Sequence, residues 1–324
     1  MLRYLSLFSG VGAFEKALEN IGKPFEIVNF CEIDNKASRN YSILHKVSET
    51  LNLGDITKID FNNLPINIDL LTHGSPCTNF STGGKNTGGD EGSGTASSLM
   101  WYSVEIIKRV KPKIVIWENV ANVLSKRHKH NFDKYLSVLS DLGYEHNYNV
   151  YNSKYFGVPQ NRSRLLCVSI LKTSNYYFEE IGYDFVVSKY LKDILEMSYP
   201  DSMIVKRPMK PEVSSNLNDV KCIGQTSTKK SQAGKVYSIN GIFPTLCAGG
   251  GNSHGYSSGY IQDDKGVVRK VTPLEAFRLM GFSDSDYEKL KDITSDTQLY
   301  RQMGNSIVVP ILEYVFKCIK EDSE

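Results

Sequence analysis

The chain has 324 residues, 40% hydrophobic and 23% charged, a balance that fits a well-cored globular protein of one large domain or two. No run of 18 or more apolar residues is present, and MLRYLSLFSGVGAF at the start has too short an apolar stretch and no small-residue cleavage pattern, so neither a membrane span nor a signal peptide is expected. A formal net charge of +2 excludes a globally basic protein, and the six cysteines form no Cys-x-x-Cys pair, which argues against a disulfide framework or a zinc site and for a reducing, cytoplasmic compartment.

Along the first half, apolar runs at 4–8, 25–33, 68–74, 113–120 and 163–171 predict buried strands. Amphipathic stretches at 14–22, 97–110 and 131–144 predict helices between them, with Gly22 and Gly143 placed as helix stops. Strand and helix in alternation predict a doubly wound, Rossmann-like α/β sheet. His128-Lys129-His130 lacks partner ligands at metal spacing and reads as a solvated helix or loop, with no metal expected.

After about residue 172 the character changes. Residues 173–268 are rich in Ser, Asn, Gly, Lys and Tyr and predict a smaller domain with little helix. Residues 201–240 hold seven basic and three acidic side chains, a local net of +4, compatible with a phosphate-binding face or with a solvated lysine-rich loop. A helix with Pro273 in its first turn is expected at 272–282, and 304–321 reads as an apolar helix packing back on the first domain. The expected division is 1–185 plus 300–324, then 186–268, with 269–299 as a helical connection.

Gly10 and Gly12 follow the first strand and open a helix, the place where a Rossmann-like sheet binds its ligand. The third glycine of a dinucleotide loop is missing, since Ala13, Phe14 and Glu15 follow. A ligand without pyrophosphate would not need it, and a plain tight turn is the alternative. Glu32, 20 residues beyond Gly12 at the end of the second strand, is placed for ribose hydroxyls. Asp55, in a third strand position closed by 54–57, is a candidate for the adenine edge, and Phe8 for contact with a cationic sulfur. Together these favour an adenosine-type pocket.

GSPCTNFSTGG (74–84) delivers Cys77 to the same rim. WENV (117–120) ends the next strand on Glu118, whose apolar surroundings favour a raised pKa and a neutral, proton-donating acid. Arg162 and Arg164 lie on alternate positions of an incoming strand. A nucleophile, an acid and a cationic anchor at neighbouring strand ends form a catalytic constellation.

In order, LFSGVGAF, GSPCTNFS, ENV, QNRSR, RKVTPLEAFRLMGF and RQMGNSIVVPIL resemble the motif set of the DNA cytosine-5 methyltransferases across nearly the whole chain. The resemblance implies an S-adenosylmethionine-dependent methyltransferase sheet with a mostly irregular or β target-recognition domain. It implies that Cys77 adds to C6 of cytosine, Glu118 donates to N3, and Arg164 holds the O2 side with Arg162 in support. S-Adenosyl-L-methionine would be converted to S-adenosyl-L-homocysteine. The implied cofactor set adds Ile33, Ile56, Pro76, Asn305 and Ser306 to Phe8, Gly10, Gly12, Glu32 and Asp55. The implied partner is double-stranded DNA with a specific cytosine-containing site, its target base extruded from the stack. A separately acting restriction endonuclease is a further partner, and a monomer is expected.

The six glycines of 81–98 would hinge a lid carrying Cys77 over that base, a surface linker being the alternative. Thr245 and Leu246 match the family's Thr-Leu turn, and Ser81, Lys85 and Gly250 complete the implied DNA contacts. By likeness to a loop of some members, Gln232 would fill the gap of the flipped base and Lys235 read a guanine edge. Ser75, Thr78 and Asn79 depart from the usual residues around Pro-Cys, Asn161 and Ser163 vary in the arginine motif, and Ile33 stands where an aromatic often stacks on adenine. The rivals are an RNA cytosine-5 methyltransferase, whose Cys-Phe-Thr signature is absent here, and a catalytically inactive DNA-binding relative, against which Cys77, Glu118 and Arg164 argue. A generic small-molecule methyltransferase would lack both the Pro-Cys loop and a basic recognition domain.

Overall fold

The apolar runs of the first half assemble into one sheet. The computed structural model describes residues 1–81, 86–217, 219–227, 232–248 and 258–322, without the side chains of 213–217. It divides into two compact units, 1–151 with 163–182 and 313–324, and 152–162 with 183–312.

In the first unit, β1 (Leu2–Leu7), β2 (Phe25–Cys31), β3 (Leu70–His73), β4 (Ile114–Val120), β5 (Tyr144–Asn152) and β6 (Ser163–Leu171) lie in the order β2-β1-β3-β4-β6-β5. β1 runs parallel to β2 and β3, β3 runs parallel to β4, and β6 is antiparallel to β4. The parallel strands are continuous apolar runs because both faces are covered. The crossover segments contain α1 (Ala13–Asn20), α2 (Asn35–His45), α3 (Met100–Val110) and α4 (Lys129–Asp141). Leu5, Leu71, Val115 and Trp117 of the strands share one core with Val104, Ile107, Phe132 and Tyr135 of the helices. Gly22 and Gly143 follow the helix ends with φ of 67° and 95°, as helix stops require. A short antiparallel pair, β7 (Tyr176–Phe178) with the C-terminal β13 (Ile319–Glu321), completes this unit.

The second unit carries β8 (Lys210–Leu217), β9 (Val220–Gln225), β10 (Lys235–Ser238), β11 (Tyr260–Gln262) and β12 (Val268–Arg269), ordered β12-β11-β10-β9-β8, and α5 (Pro273–Met280), α6 (Asp284–Leu290) and α7 (Asp296–Asn305). Its RKVTPLE segment is a structural device. Arg269 makes a buried bidentate pair with Glu275, at 2.8 Å for each bond. Glu275 also accepts from Thr272 N–H while Thr272 Oγ1 accepts from Glu275 N–H, closing a capping box with Pro273 at the start of α5.

The structure departs from the sequence expectation at several elements. β5, α2, α6 and α7 are additional. Residues 54–57 are not a strand: Asp55 accepts from Thr57 N–H and caps a 3-10 turn at Ile56–Lys58, so Cys77 follows the third strand in chain order. The apolar C-terminal segment, expected as one helix over 304–321, forms α8 (Val309–Cys318), with Pro310 in its first turn, and then β13.

Candidate active site

The loop after β1 bends through three alternate left-handed positions in five residues. Phe8, Gly10 and Gly12 have φ of 54°, 56° and 82°. For Phe8 this is a strained conformation, which packing of the ring against the core helps to hold. A Cβ on Gly10 would meet nothing within 4 Å, so its backbone is open to a ligand, whereas one on Gly12 would sit 2.0 Å from His45 Nε2.

Glu32, just past β2, reaches back across this turn. Its Oε2 accepts from Gly10 N–H at 2.9 Å and its Oε1 from Asp34 N–H at 2.8 Å. Burial pushes its pKa up, against those two bonds. Ile33 beside it is 69% exposed. Ile56, in contrast, is a core residue, so it is a packing element behind the rim rather than a ligand contact. Asp55 spends one carboxylate oxygen on Thr57, and those bonds hold its pKa below the ordinary value. Gly10 and Glu32 are therefore bonded at the strand ends, with Phe8 and Gly12 in the same turn and Ile33 next to Glu32. The open side of Gly10, the carboxylate and the exposed apolar Ile33 fit the expected adenosine-bearing group.

On the neighbouring rim, β3 runs into Ser75, Pro76 and Cys77. Trp117 Nε1 donates to Ser75 Oγ at 3.0 Å, and Asn119 Nδ2 donates to Ser75 carbonyl oxygen at 3.1 Å. The Glu-Asn-Val element thus carries the acid and, one residue on, the amide that holds the Pro-Cys segment. Cys77 is partly exposed, and its carbonyl accepts from Phe80 and Ser81 N–H in a tight turn. Arg164 Nε lies 2.9 Å from Glu118 Oε1, and Glu118 is 8% exposed. The pair sits diagonally across β4 and β6, where Glu118 faces Leu166 and Val120 faces Arg164.

Beyond Cys77, the described part of the loop is tethered. Pro76 carbonyl oxygen accepts from Ser97 Oγ at 2.8 Å, Asn79 bonds Thr87 and Ser97, and Trp101 Nε1 donates to Gly89. The loop also meets the start of α4: Asn86 with His128, Asp90 with His130 and Asn131, Glu91 with Lys134. His128 is buried and packs on Phe80, which corrects the solvated reading for that residue, while Lys129 and His130 are exposed at the start of α4 as expected.

Arg162 does not share the site of Arg164. It precedes β6 and belongs to the second unit, where it is buried and donates to the carbonyls of Leu246, Gly304 and Ser306 at 3.0, 3.0 and 2.7 Å. It is a clamp between the 243–248 turn and the end of α7, not part of the Glu118 constellation. Gly304 is needed there, because its Cβ would stand 2.3 Å from Ala248 N. Leu246 is likewise a core residue, 1% exposed, whose N–H donates to Gln160 and whose carbonyl oxygen accepts from Arg162. Thr245 Oγ1 donates to Asn161 carbonyl oxygen. Gln232 Nε2 donates to Thr245 carbonyl oxygen at 2.9 Å, while Lys235 opens β10 partly exposed. Asn305 ends α7 exposed and Ser306 follows it, nearly buried. Lys85 and Gly250 lie outside the described residues.

Sequence reasoning missed His45, Asn119 as the tether of Ser75, Asn79 with Ser97 as loop anchors, and Gln160, which ties Leu246 to Leu279. Gln160, Asn119 and Asn79 lie inside quoted motifs, whereas His45 and Ser97 do not.

Residues 2–321 match the family described as C-5 cytosine-specific DNA methylase. The orphan methyltransferase M.SPRI of Bacillus phage SPR is 30% identical over 98% of this chain and 97% of its own. The type II methyltransferases M2.ScrFI of Lactococcus lactis subsp. cremoris and M.HhaI of Haemophilus parahaemolyticus are 30% and 32% identical, covering 98% and 97% of this chain and 98% and 93% of theirs. The crystal structure of S. pombe Dnmt2 methyltransferase shares the fold, with a TM-score of 0.71 at 21% identity over 98% of this chain and 97% of that one. No helix of the described residues is long and apolar enough to cross a membrane. Six ordered motifs, the mixed α/β sheet and a match from residue 2 to residue 321 agree: the chain belongs to the C-5 cytosine-specific DNA methylase family.

Proposed function

We propose that the chain methylates C5 of cytosine within a specific sequence of duplex DNA, with Cys77 as nucleophile. The carrying observation is the partly exposed Cys77, tethered through Ser75 to Asn119, beside the Glu118–Arg164 pair at the adjoining strand ends. Gly10, Gly12, Glu32 and Ile33, with Phe8, would hold S-adenosylmethionine, which would supply an electrophilic methyl group when bound. Cytosine C5 is a weak nucleophile, so the chain must first raise its electron density. Addition of the Cys77 thiolate to C6 does this, moving the ring's electron pair onto C5. Glu118 delivers a proton to N3 and so neutralises the charge created by the addition, while Arg164 holds the O2 edge. After methyl transfer, loss of the C5 proton restores the double bond and expels the thiolate, and N3 returns its proton to Glu118.

A base edge inside a stack is out of reach, so the cytosine leaves the helix to enter the site. The basic stretch within 186–268 is assigned to phosphate and base contacts, with Thr245, Gln232 and Lys235 as its candidates. In the DNA-free chain Gln232 is held by Thr245, and filling the vacated place of a base requires breaking that bond. The test is labelled S-adenosylmethionine with the chain and either DNA or tRNA. Label appears as 5-methylcytosine in DNA with the native chain and disappears with Cys77→Ser, which still binds cofactor. Label in tRNA alone, or near-normal turnover by Cys77→Ser, contradicts the proposal.

A further inference from the structure

Beneath the Gly10–Gly12 turn, His45 at the end of α2 occupies the space a Gly12 side chain would need, 2.0 Å from Nε2. Its Nε2 lies 3.0 Å from Val11 carbonyl oxygen and its Nδ1 2.7 Å from Glu19 Oε1. A carbonyl and a carboxylate only accept, so both ring nitrogens must carry protons for both bonds to form. The geometry therefore describes an imidazolium. The charged and titratable groups around it are Glu15 and Glu19 of α1, Lys16 on the far side of Glu19, and Tyr41 of α2, whose ring centroid is 4.8 Å away. Burial alone lowers the ring's pKa. The hydrogen bond to Glu19, the charges of Glu15 and Glu19 and the Val11 carbonyl outweigh it, and the net shift is upward.

We propose that His45 is a positioning residue for the cofactor turn: clamped between Glu19 and Val11, its ring holds residues 10–12 in the left-handed shape that binds S-adenosylmethionine. The inference rests on the assignment of this turn to the cofactor. Val11 lies between the left-handed Gly10 and Gly12, so a bond to its carbonyl fixes the peptide planes on which a ligand would rest. Because the folded-state pKa is raised, the clamp is closed below the ordinary histidine value and released as pH rises through the higher one. Cofactor affinity is therefore expected to fall on the alkaline side.

The experiment combines calorimetry of S-adenosylhomocysteine binding between about pH 6 and about pH 10 with nitrogen-15 imidazole NMR of the wild-type chain. Both His45 nitrogens are expected to be protonated at neutral pH, and binding is expected to weaken about tenfold as the ring loses its proton, the loss of one charge-assisted bond. His45→Phe, which fills the same space without the bonds, is expected to bind about tenfold more weakly at neutral pH with a flat profile. Glu19→Gln is expected to move the midpoint to lower pH. A neutral ring at neutral pH, or a His45→Phe profile matching wild type, overturns the clamp while leaving the cofactor assignment intact. Absence of any binding by the wild-type chain overturns both.

Discussion

Arg162 and Arg164 are separated by one residue and diverge in what they touch. The first is buried on three carbonyls of its own unit, the second on Glu118. Arg162→Ala leaves three buried acceptors short of a partner and is expected to cost about 3–5 kcal/mol of stability, read as a lower midpoint in urea. Arg164→Ala is expected to lower turnover by about a hundredfold or more, read in methyl transfer at saturating cofactor. From the sequence the two looked equivalent, because alternation along a strand puts them on one face. That inference failed because the carbonyls of Leu246, Gly304 and Ser306, far along the chain, take up the Arg162 guanidinium. Glu118, Cys77, Gly10 and Glu32 were legible, since each sits at a strand end where the fold rule places chemistry. His45 was not, because its role depends on a contact made 33 residues from Gly12, which no local pattern encodes.

Among the elements, the loop after Cys77 is the least like its reading as a free glycine hinge. Asp90, Glu91 and Asn86 dock on the start of α4, and Trp101 holds Gly89. The hydrogen bond from His130, then that from Asn131, holds the Asp90 carboxyl below its ordinary pKa. A lowered value means the contact is present above the ordinary aspartate range and is lost as pH falls through the lower one. Acidification, or Asp90→Asn combined with His130→Ala at neutral pH, is expected to raise amide hydrogen exchange across 86–98 by about tenfold or more, with a change in Trp101 fluorescence. Unchanged exchange would show that the α4 contacts do not hold the loop. β5 and α2 escaped sequence reading for one physical reason. As the edge strand, β5 (YEHNYNVYN) is largely exposed, and α2 (NKASRNYSILH) buries Ser38, Asn40 and Ser42 along with Ala37, Tyr41 and Leu44, so neither shows a broad apolar face. Asp34, which caps α2 by accepting from Lys36 and Ala37 N–H, was the available signal.

At the scale of the whole molecule, the motif order carried more than composition did. A net charge of +2 says little about DNA, whereas six motifs in sequence define the family. Several of them are architectural. RKVTPLE is a buried ion pair within a capping box, and Gly304 in RQMGNS lets α7 meet the 246–248 turn. A ligand that binds only the folded chain stabilises it by mass action, so S-adenosylhomocysteine at about 100 times its dissociation constant is expected to add about 2.7 kcal/mol, read as a raised unfolding midpoint. Gln232→Ala is expected to weaken DNA binding and extrusion of the target base. If both are unchanged, Gln232 only braces Thr245.

The central claim is a covalent bond between Cys77 and cytosine C6, and it can be trapped. With fluorine in place of the C5 hydrogen, the final elimination cannot occur, so the adduct should persist. The chain is incubated with S-adenosylmethionine and random-sequence duplex DNA carrying 5-fluorocytosine, then digested and analysed by mass spectrometry. The expected result is a denaturation-resistant complex whose cross-linked peptide contains Cys77, absent with Cys77→Ser. Methylation of unmodified DNA by the same preparation, with no adduct on the fluorinated DNA or with an adduct on another residue, contradicts the mechanism.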